Sequence, residues 1–160
     1  MKYDICAIGN ALVDTQYMVE HDFLVAIGLE ADSMTLTSAE EQSPIVKKLK
    51  EMNAESVSDC GGSATNSLVA ASNYGSICHH VCRVSDDEDG HKYLDSLKVA
   101  GVEHIGFSKE ECDLPTGKCL IFVTPDAKRT MSSMLGISAF LGPLDINLDA
   151  IRNSKIFYIE

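Results

Sequence analysis

Apolar and polar positions along this chain follow two rhythms. Tyr3 to Gly9 (YDICAIG) is a short apolar run closed by glycine, the pattern of a strand buried on both faces. Leu12 to Val19 reads as a second, more exposed strand, His21 to Ile27 as a short helix closed by Gly28, and Ser33 to Leu36 as another short strand. Ser38-Ala39-Glu40-Glu41 opens a helix with Ser38 as cap and Glu41 at the third helical position. Pro44 offers an alternative start directly after Ser43. Ile45, Val46, Leu49 and Met52 then recur at helical spacing.

Ser56 to Cys60 is a brief extended piece that runs into Gly61-Gly62. From Ala64 to Tyr74 the pattern turns helical, with Leu68 and Val69 apolar, Ala70 and Ala71 small, and Gly75 as terminator. Ile77 to Val84 reads as a buried strand, Glu88 to Ala100 as a helix ended by Gly101, and Val102 to Phe107 as a strand. Lys118 to Thr124 and Arg129 to Met134 flank the turn residues Pro125-Asp126-Ala127-Lys128 and predict a hairpin. Leu148 to Arg152 is a short helix, and Lys155 to Ile159 reads as a buried strand. Alternation of strand and helix predicts an α/β layer around a mostly parallel sheet. The strands near Val13, Met34 and Ser58 and the hairpin after Thr116 break that rhythm and predict a separate small sheet beside the layer.

Composition narrows the function classes. The 160 residues are one domain's worth of chain. Thirteen Lys+Arg against 24 Asp+Glu give a formal net charge of -11, which repels phosphate backbones and anionic membranes, so neither nucleic acid nor lipid is expected as a partner. The acidic run Asp86-Asp87-Glu88-Asp89 reads as a solvated turn entering a helix. No stretch reaches the roughly 20 apolar residues of a membrane span, and Met1-Lys2-Tyr3-Asp4 lacks a signal peptide's basic region; a cytoplasmic location is expected. The cysteines are Cys6, Cys60, Cys78, Cys82, Cys112 and Cys119. Several lie in apolar runs, where a free thiol acts as a small hydrophobe. Cys78-His79-His80-Val81-Cys82 has ligand chemistry, but it is one extended segment without a second pair, so a buried strand is expected rather than a metal centre.

Candidate chemistry begins after the first strand. Ligands of open parallel sheets bind beyond the carboxyl ends of the strands, where Asn10 and Asp14 lie. A carboxylate accepts from two hydroxyls and Asn both donates and accepts, a pair suited to a vicinal diol. A turn at Asn10 and an exposed strand position at Asp14 explain the same residues. Gly61-Gly62 adds weight: paired glycines before a helix let the main chain approach a ligand, the helix start offers free N–H groups, and Asn66 sits in its first turn.

Gly61-Gly62-Ser63-Ala64-Thr65-Asn66, the Ala/Ser-rich helix to Gly75 and the following strand with Asp86-Asp87-Glu88-Asp89-Gly90 resemble the ribokinase-like (PfkB-type) carbohydrate kinase family. The resemblance covers the whole chain but only the N-terminal half of a family member. It implies a parallel-sheet core with helices on both faces and a small β-sheet lid, here at about 12–36, 55–60 and 116–135. It implies that Asn10, Asp14, Gly62 and Asn66 hold sugar hydroxyls, with Gly61 assisting the close approach. Asn10-Ala11-Leu12-Val13-Asp14, Thr116-Gly117-Lys118-Cys119 and Arg129-Thr130-Met131 are similar to adenosine-kinase-type segments. Leu12, Met34, Cys119, Met131 and Leu135 would then line an apolar slot, or simply pack the lid. Arg129 would point toward the transferred phosphate. Two departures, Leu68 and Ser85 in place of smaller residues, leave the subgroup open.

The resemblance further implies ATP and Mg²⁺, bound mainly by a C-terminal half with a Gly-Ala-Gly-Asp base motif that does not occur here. Gly117-Lys118-Cys119 is not a Walker-type phosphate loop. A truncated kinase, with these residues alone inactive, is therefore expected. A non-catalytic sugar- or nucleoside-binding module is the alternative, and a dinucleotide-binding domain a weaker one. Some relatives pair through the lid, and the short exposed strands here leave such a homodimer open.

Overall fold

The computed structural model describes residues 1–107 and 113–160. Two sheets are built from one interleaved chain. The first contains β1 (Tyr3–Ile8), β5 (Cys78–Val81), β6 (Val102–His104) and β9 (Ser154–Ile159), all parallel, in the order β6-β5-β1-β9. The second contains β2 (Leu12–Met18), β3 (Met34–Leu36), β4 (Ser56–Gly61), β7 (Gly117–Val123) and β8 (Arg129–Met134), in the order β3-β8-β7-β2-β4. Its pairings are mixed: β2 runs parallel to β7 and antiparallel to β4, and β7–β8 is the expected hairpin.

Helices cover both faces of the parallel sheet, because alternate residues of its strands are apolar on both sides. On one face Ala7, Cys78 and Cys82 pack with Leu68 of α3 (Ser63–Asn73) and with Tyr93 and Leu97 of α4 (Glu88–Val99). On the other face Cys6 and Val81 meet Ala150 of α5 (Leu148–Arg152). The second sheet buries one face under α1 (His21–Ile27) and α2 (Ala39–Glu51), with Phe23, Leu24, Ile45 and Leu49 against Leu120 and Phe122.

Several local expectations are sharpened. The second helix starts at Ala39, because Ser38 and Glu41 form a reciprocal capping box, and Pro44 lies inside it. Strand β6 stops at His104; Gly106 then turns the chain at φ +89°. Strand β9, expected to be buried, lies at the sheet edge, with Ile156 and Ile159 more than half exposed. Among the described residues its strand neighbour is β1. The acidic run does more than face solvent. Asp87 caps α4 by accepting from the Gly90 N–H at 2.7 Å. It also accepts from the Thr116 N–H at 2.8 Å and the Thr116 hydroxyl at 2.7 Å, tying α4 to the root of β7. Asp86, Glu88 and Asp89 pair with His91, Lys92 and Lys118.

Cys6, Cys78, Cys82 and Cys119 are buried free thiols, and burial pushes Cys82 up to about 12. Cys112 lies outside the described residues. Among the described residues, no group of three or more His, Cys, Asp or Glu is placed to hold a metal ion, and no helix is long and apolar enough to cross a membrane.

Candidate functional site

The chain passes between the sheets where the glycines and the polar candidates lie. After β1, Gly9 presses on the start of α3; a Cβ there would come 2.6 Å from that of Ala64. Asn10 follows, exposed at the surface. The Ser138 hydroxyl accepts from the Ala11 N–H at 2.7 Å and donates to Asn10 Oδ1 at 3.3 Å, which orients the amide. The chain then enters β2 and carries Asp14.

Strand β4 brings Gly61 and Gly62 alongside. Leu12 pairs with Gly61, and Asp14 with Asp59. A Cβ on Gly61 would sit 2.1 Å from Asp14 Cγ, so the carboxyl group occupies the space that a side chain would fill. Gly62 has φ +97°, and a Cβ there would lie 2.3 Å from the Asn10 carbonyl oxygen. Only glycine meets both conditions at Gly62. From Gly62 the chain turns into α3, whose first turn presents Asn66, exposed, with its N–H bonded to the Gly62 carbonyl at 2.9 Å. Asn10, Asp14, Gly61, Gly62 and Asn66 thus converge from two crossings of the chain.

Strand register sorts the remaining candidates. Cross-strand partners share a face. Leu12 pairs with Gly117, Asp14 with Cys119, Cys119 with Ser133, and Met131 with Met34. Leu12, Asp14, Cys119, Met131 and Met34 therefore lie on the face opposite α1 and α2, since Leu120 and Phe122 alternate to the helix side. Met34 is more than half exposed there, while Cys119 is buried and accepts from the Ser133 hydroxyl at 3.3 Å. Leu135 lies just beyond β8, half-buried, where its carbonyl comes close to Gly117. Arg129 opens β8, exposed, across from Val123.

Electrostatics links these groups. Burial holds the Asp14 carboxyl above the usual carboxylate range; the Arg129 guanidinium opposes that shift and the Asp59 charge adds to it. Arg129 also lowers the Cys119 thiol against a larger upward push from burial. A carboxyl group over bare glycine backbone, within the field of a guanidinium, has the chemistry to accept from neighbouring hydroxyls.

Three contributors were passed over in the sequence. Asp59 shares the Asp14 face, and the two-residue alternation of β4 could have found it. Ser138 carried no signal, because it comes from a 3₁₀ turn (Gly136–Phe140) distant in sequence. Glu160 lies beside Ile8 just after β9, and its carboxylate accepts from the Ser63 hydroxyl at the start of α3 and from the Tyr158 hydroxyl of β9.

Comparison with known proteins agrees with this fold. A family model described as pfkB family carbohydrate kinase matches residues 22–160. Fructokinase-2 of Solanum lycopersicum is 33% identical over 102 residues, covering 61% of this chain and 30% of that protein. Probable fructokinase-4 of Arabidopsis thaliana is 36% identical over 104 residues, again 61% of this chain and 30% of that protein. Among solved structures, the adenosine kinase from Sinorhizobium meliloti has a TM-score of 0.84 at 30% identity, covering 99% of this chain and 47% of that one. A probable sugar kinase from Rhizobium etli CFN 42 gives 0.83 at 28% identity, with 99% and 46% covered. The chain therefore spans about 30% of the length of the curated relatives it matches, and just under half of these solved structures.

Proposed function

The chain belongs to the pfkB family of carbohydrate kinases, and on that premise we propose that it supplies the substrate-binding portion of an ATP-dependent kinase acting on a hydroxyl of a sugar or nucleoside. The observation that carries this reading is the Asp14 carboxyl seated over Gly61, with the next residue, Gly62, pressed on the Asn10 carbonyl oxygen and its own carbonyl accepting from the Asn66 N–H. In it, Asp14 accepts from two neighbouring substrate hydroxyls, and Asn10 and Asn66 fix the remaining oxygens. The bare glycine backbone lets the ring approach. The five-stranded sheet acts as the lid, its segments falling at about 12–36, 55–60 and 116–135. Leu12, Met34, Cys119, Met131 and Leu135 line an apolar slot that favours a ligand with an apolar ring, and Arg129 stands on the phosphate side. Adenosine is accordingly the first substrate to try and D-fructose the second.

Among the described residues no phosphate-binding loop is formed. Gly117-Lys118-Cys119 lies at the start of β7, not in a phosphate loop, and the described residues hold no cluster for a divalent cation. We place ATP and Mg²⁺, with the base that takes the hydroxyl proton, in the part of the family that this chain does not span.

Titrating the complete gene product with adenosine, D-ribose and D-fructose, followed by turnover with Mg-ATP, tests the reading. Binding of one of them with phosphorylation is the expected result, and phosphorylation by residues 1–160 alone would overturn the division of labour. Binding without turnover by the complete product would favour a binding module, and no binding at all would end the proposal.

A further inference from the structure

We propose that Thr65, His80 and Tyr93 are positioning residues, a buried hydrogen-bonded chain that locks the first turn of α3, with Asn66, to the end of β1, with Asn10. The inference rests on the substrate site proposed above and adds residues outside it. All three side chains are fully buried, at 0% exposure. Polar groups are costly at such positions unless every donor and acceptor is used, and apolar residues are the default there.

The geometry uses them all. Thr65 Oγ1 lies 3.0 Å from His80 Nε2 and 2.7 Å from the Tyr93 hydroxyl. His80 Nδ1 faces the Ala7 carbonyl at 3.4 Å, in register with it across the β1–β5 pair. A carbonyl only accepts, so Nδ1 carries the ring proton. Burial holds His80 down at about 4, so the ring is neutral at physiological pH and Nε2 is an acceptor. The single Thr65 proton then goes to Nε2, and Tyr93 donates to Thr65. The chain runs one way, from Tyr93 through Thr65 and His80 to Ala7.

Two of its members, Thr65 and Ala7, adjoin the two proposed substrate-binding segments. Thr65 stands between Ala64, which packs on Gly9, and Asn66; Thr65 Oγ1 would be 3.4 Å from a Cβ on Gly62. Ala7 is the penultimate residue of β1 and precedes Asn10 by three residues. Apolar side chains of the same size would fill this space. They would not fix the rotation of the first turn of α3 about its axis, which decides where Asn66 points. Directional hydrogen bonds do.

Thr65→Val keeps the shape and removes the hydroxyl. In the complete gene product, titrated with adenosine and with D-fructose, it should raise Kd about tenfold, the equivalent of one net hydrogen bond. Amide exchange at Asn66 and Ser67 should quicken while Leu97 in α4 keeps its protection. Thr65→Ser should restore the parental values. Should Thr65→Val fail to fold, Tyr93→Phe, which removes only the terminal donor, takes its place with the same readouts and a smaller expected change. Nitrogen NMR of the parent should show His80 protonated at Nδ1 and bare at Nε2. Parental binding and exchange in Thr65→Val, equal losses in Val and Ser, or a proton on Nε2 would overturn the lock. If neither probe binds the parent, the substrate reading fails, while the exchange and NMR results still decide the lock.

Discussion

Gly61→Ala separates the site from the fold. The Gly61 backbone lies in β4 outside the left-handed region, so alanine is allowed there by conformation. The obstacle is the Asp14 carboxyl group, whose Cγ would be 2.1 Å from the new methyl group and whose oxygens would be 2.2 and 2.4 Å away. Ordinary contact requires the carboxyl group to move by more than an ångström, which rotation of the Asp14 side chain provides. The rotation costs about 1 kcal/mol, as for mild overpacking. The carboxylate, however, then no longer faces the substrate hydroxyls. Losing a hydrogen bond to a charged group costs about 1.5–3 kcal/mol, a roughly ten- to hundredfold rise in Kd. Gly62→Ala is the contrast. Its φ of +97° is strained for alanine, and the obstructing atom is the backbone oxygen of Asn10, which cannot rotate away. We expect about 3 kcal/mol or more of lost stability. Calorimetric titration with adenosine and D-fructose, paired with urea unfolding of the same proteins, measures both quantities. Gly61→Ala binding like the parent, or destabilising as much as Gly62→Ala, would refute the placement of Asp14.

Asp14→Asn should weaken binding by a similar ten- to hundredfold yet make the free protein more stable at neutral pH. The folded-state pKa of Asp14 is raised, so the folded state binds the proton more tightly and stability falls as pH rises through that range; asparagine removes the penalty, as urea unfolding will report. His80 behaves oppositely: it titrates near 6.5 when unfolded and about 4 when folded, so its contribution is complete above pH 6.5 and is lost as pH falls toward 4. That loss is on the order of 3 kcal/mol, and it should vanish from the stability–pH curve of His80→Gln. Asp87→Ala removes three accepted hydrogen bonds, one of them the α4 cap, which should cost about 2–4 kcal/mol in urea unfolding with the slope unchanged.

Legibility in the sequence followed the range of the forces involved. Local patterns placed both sheets and the helices, because capping at Ser38, left-handed turns at Gly28 and Gly101, and two-residue alternation are short-range effects. Asn10, Asp14, Gly61, Gly62 and Asn66 were legible as a series because each lies at a junction that sequence punctuation marks. Register was not legible. That Met34 stands across from Met131 depends on β3 joining β8 in parallel, which nothing local dictates. The Asp87–Thr116 tie and the chain from Tyr93 to Ala7 were hidden for the same reason, since each joins segments that meet only after the helices pack.

The interleaving of the sheets has a consequence for how this protein assembles. The chain lays down β1 in one sheet, β2 to β4 in the other, returns for β5 and β6, leaves again for β7 and β8, and finishes β9 beside β1. Neither sheet is a contiguous segment, so neither can be cut out, swapped or folded ahead of its partner. Pairings such as β2 with β7 and β1 with β9 close long loops before they yield contacts, which makes folding slow and concerted. The crossings at Gly9–Ala11 and Gly61–Gly62 are at once the route between the sheets and the proposed substrate site. If the proposed site is right, binding and cooperative folding draw on the same few residues, and mutations selected for one are constrained by the other.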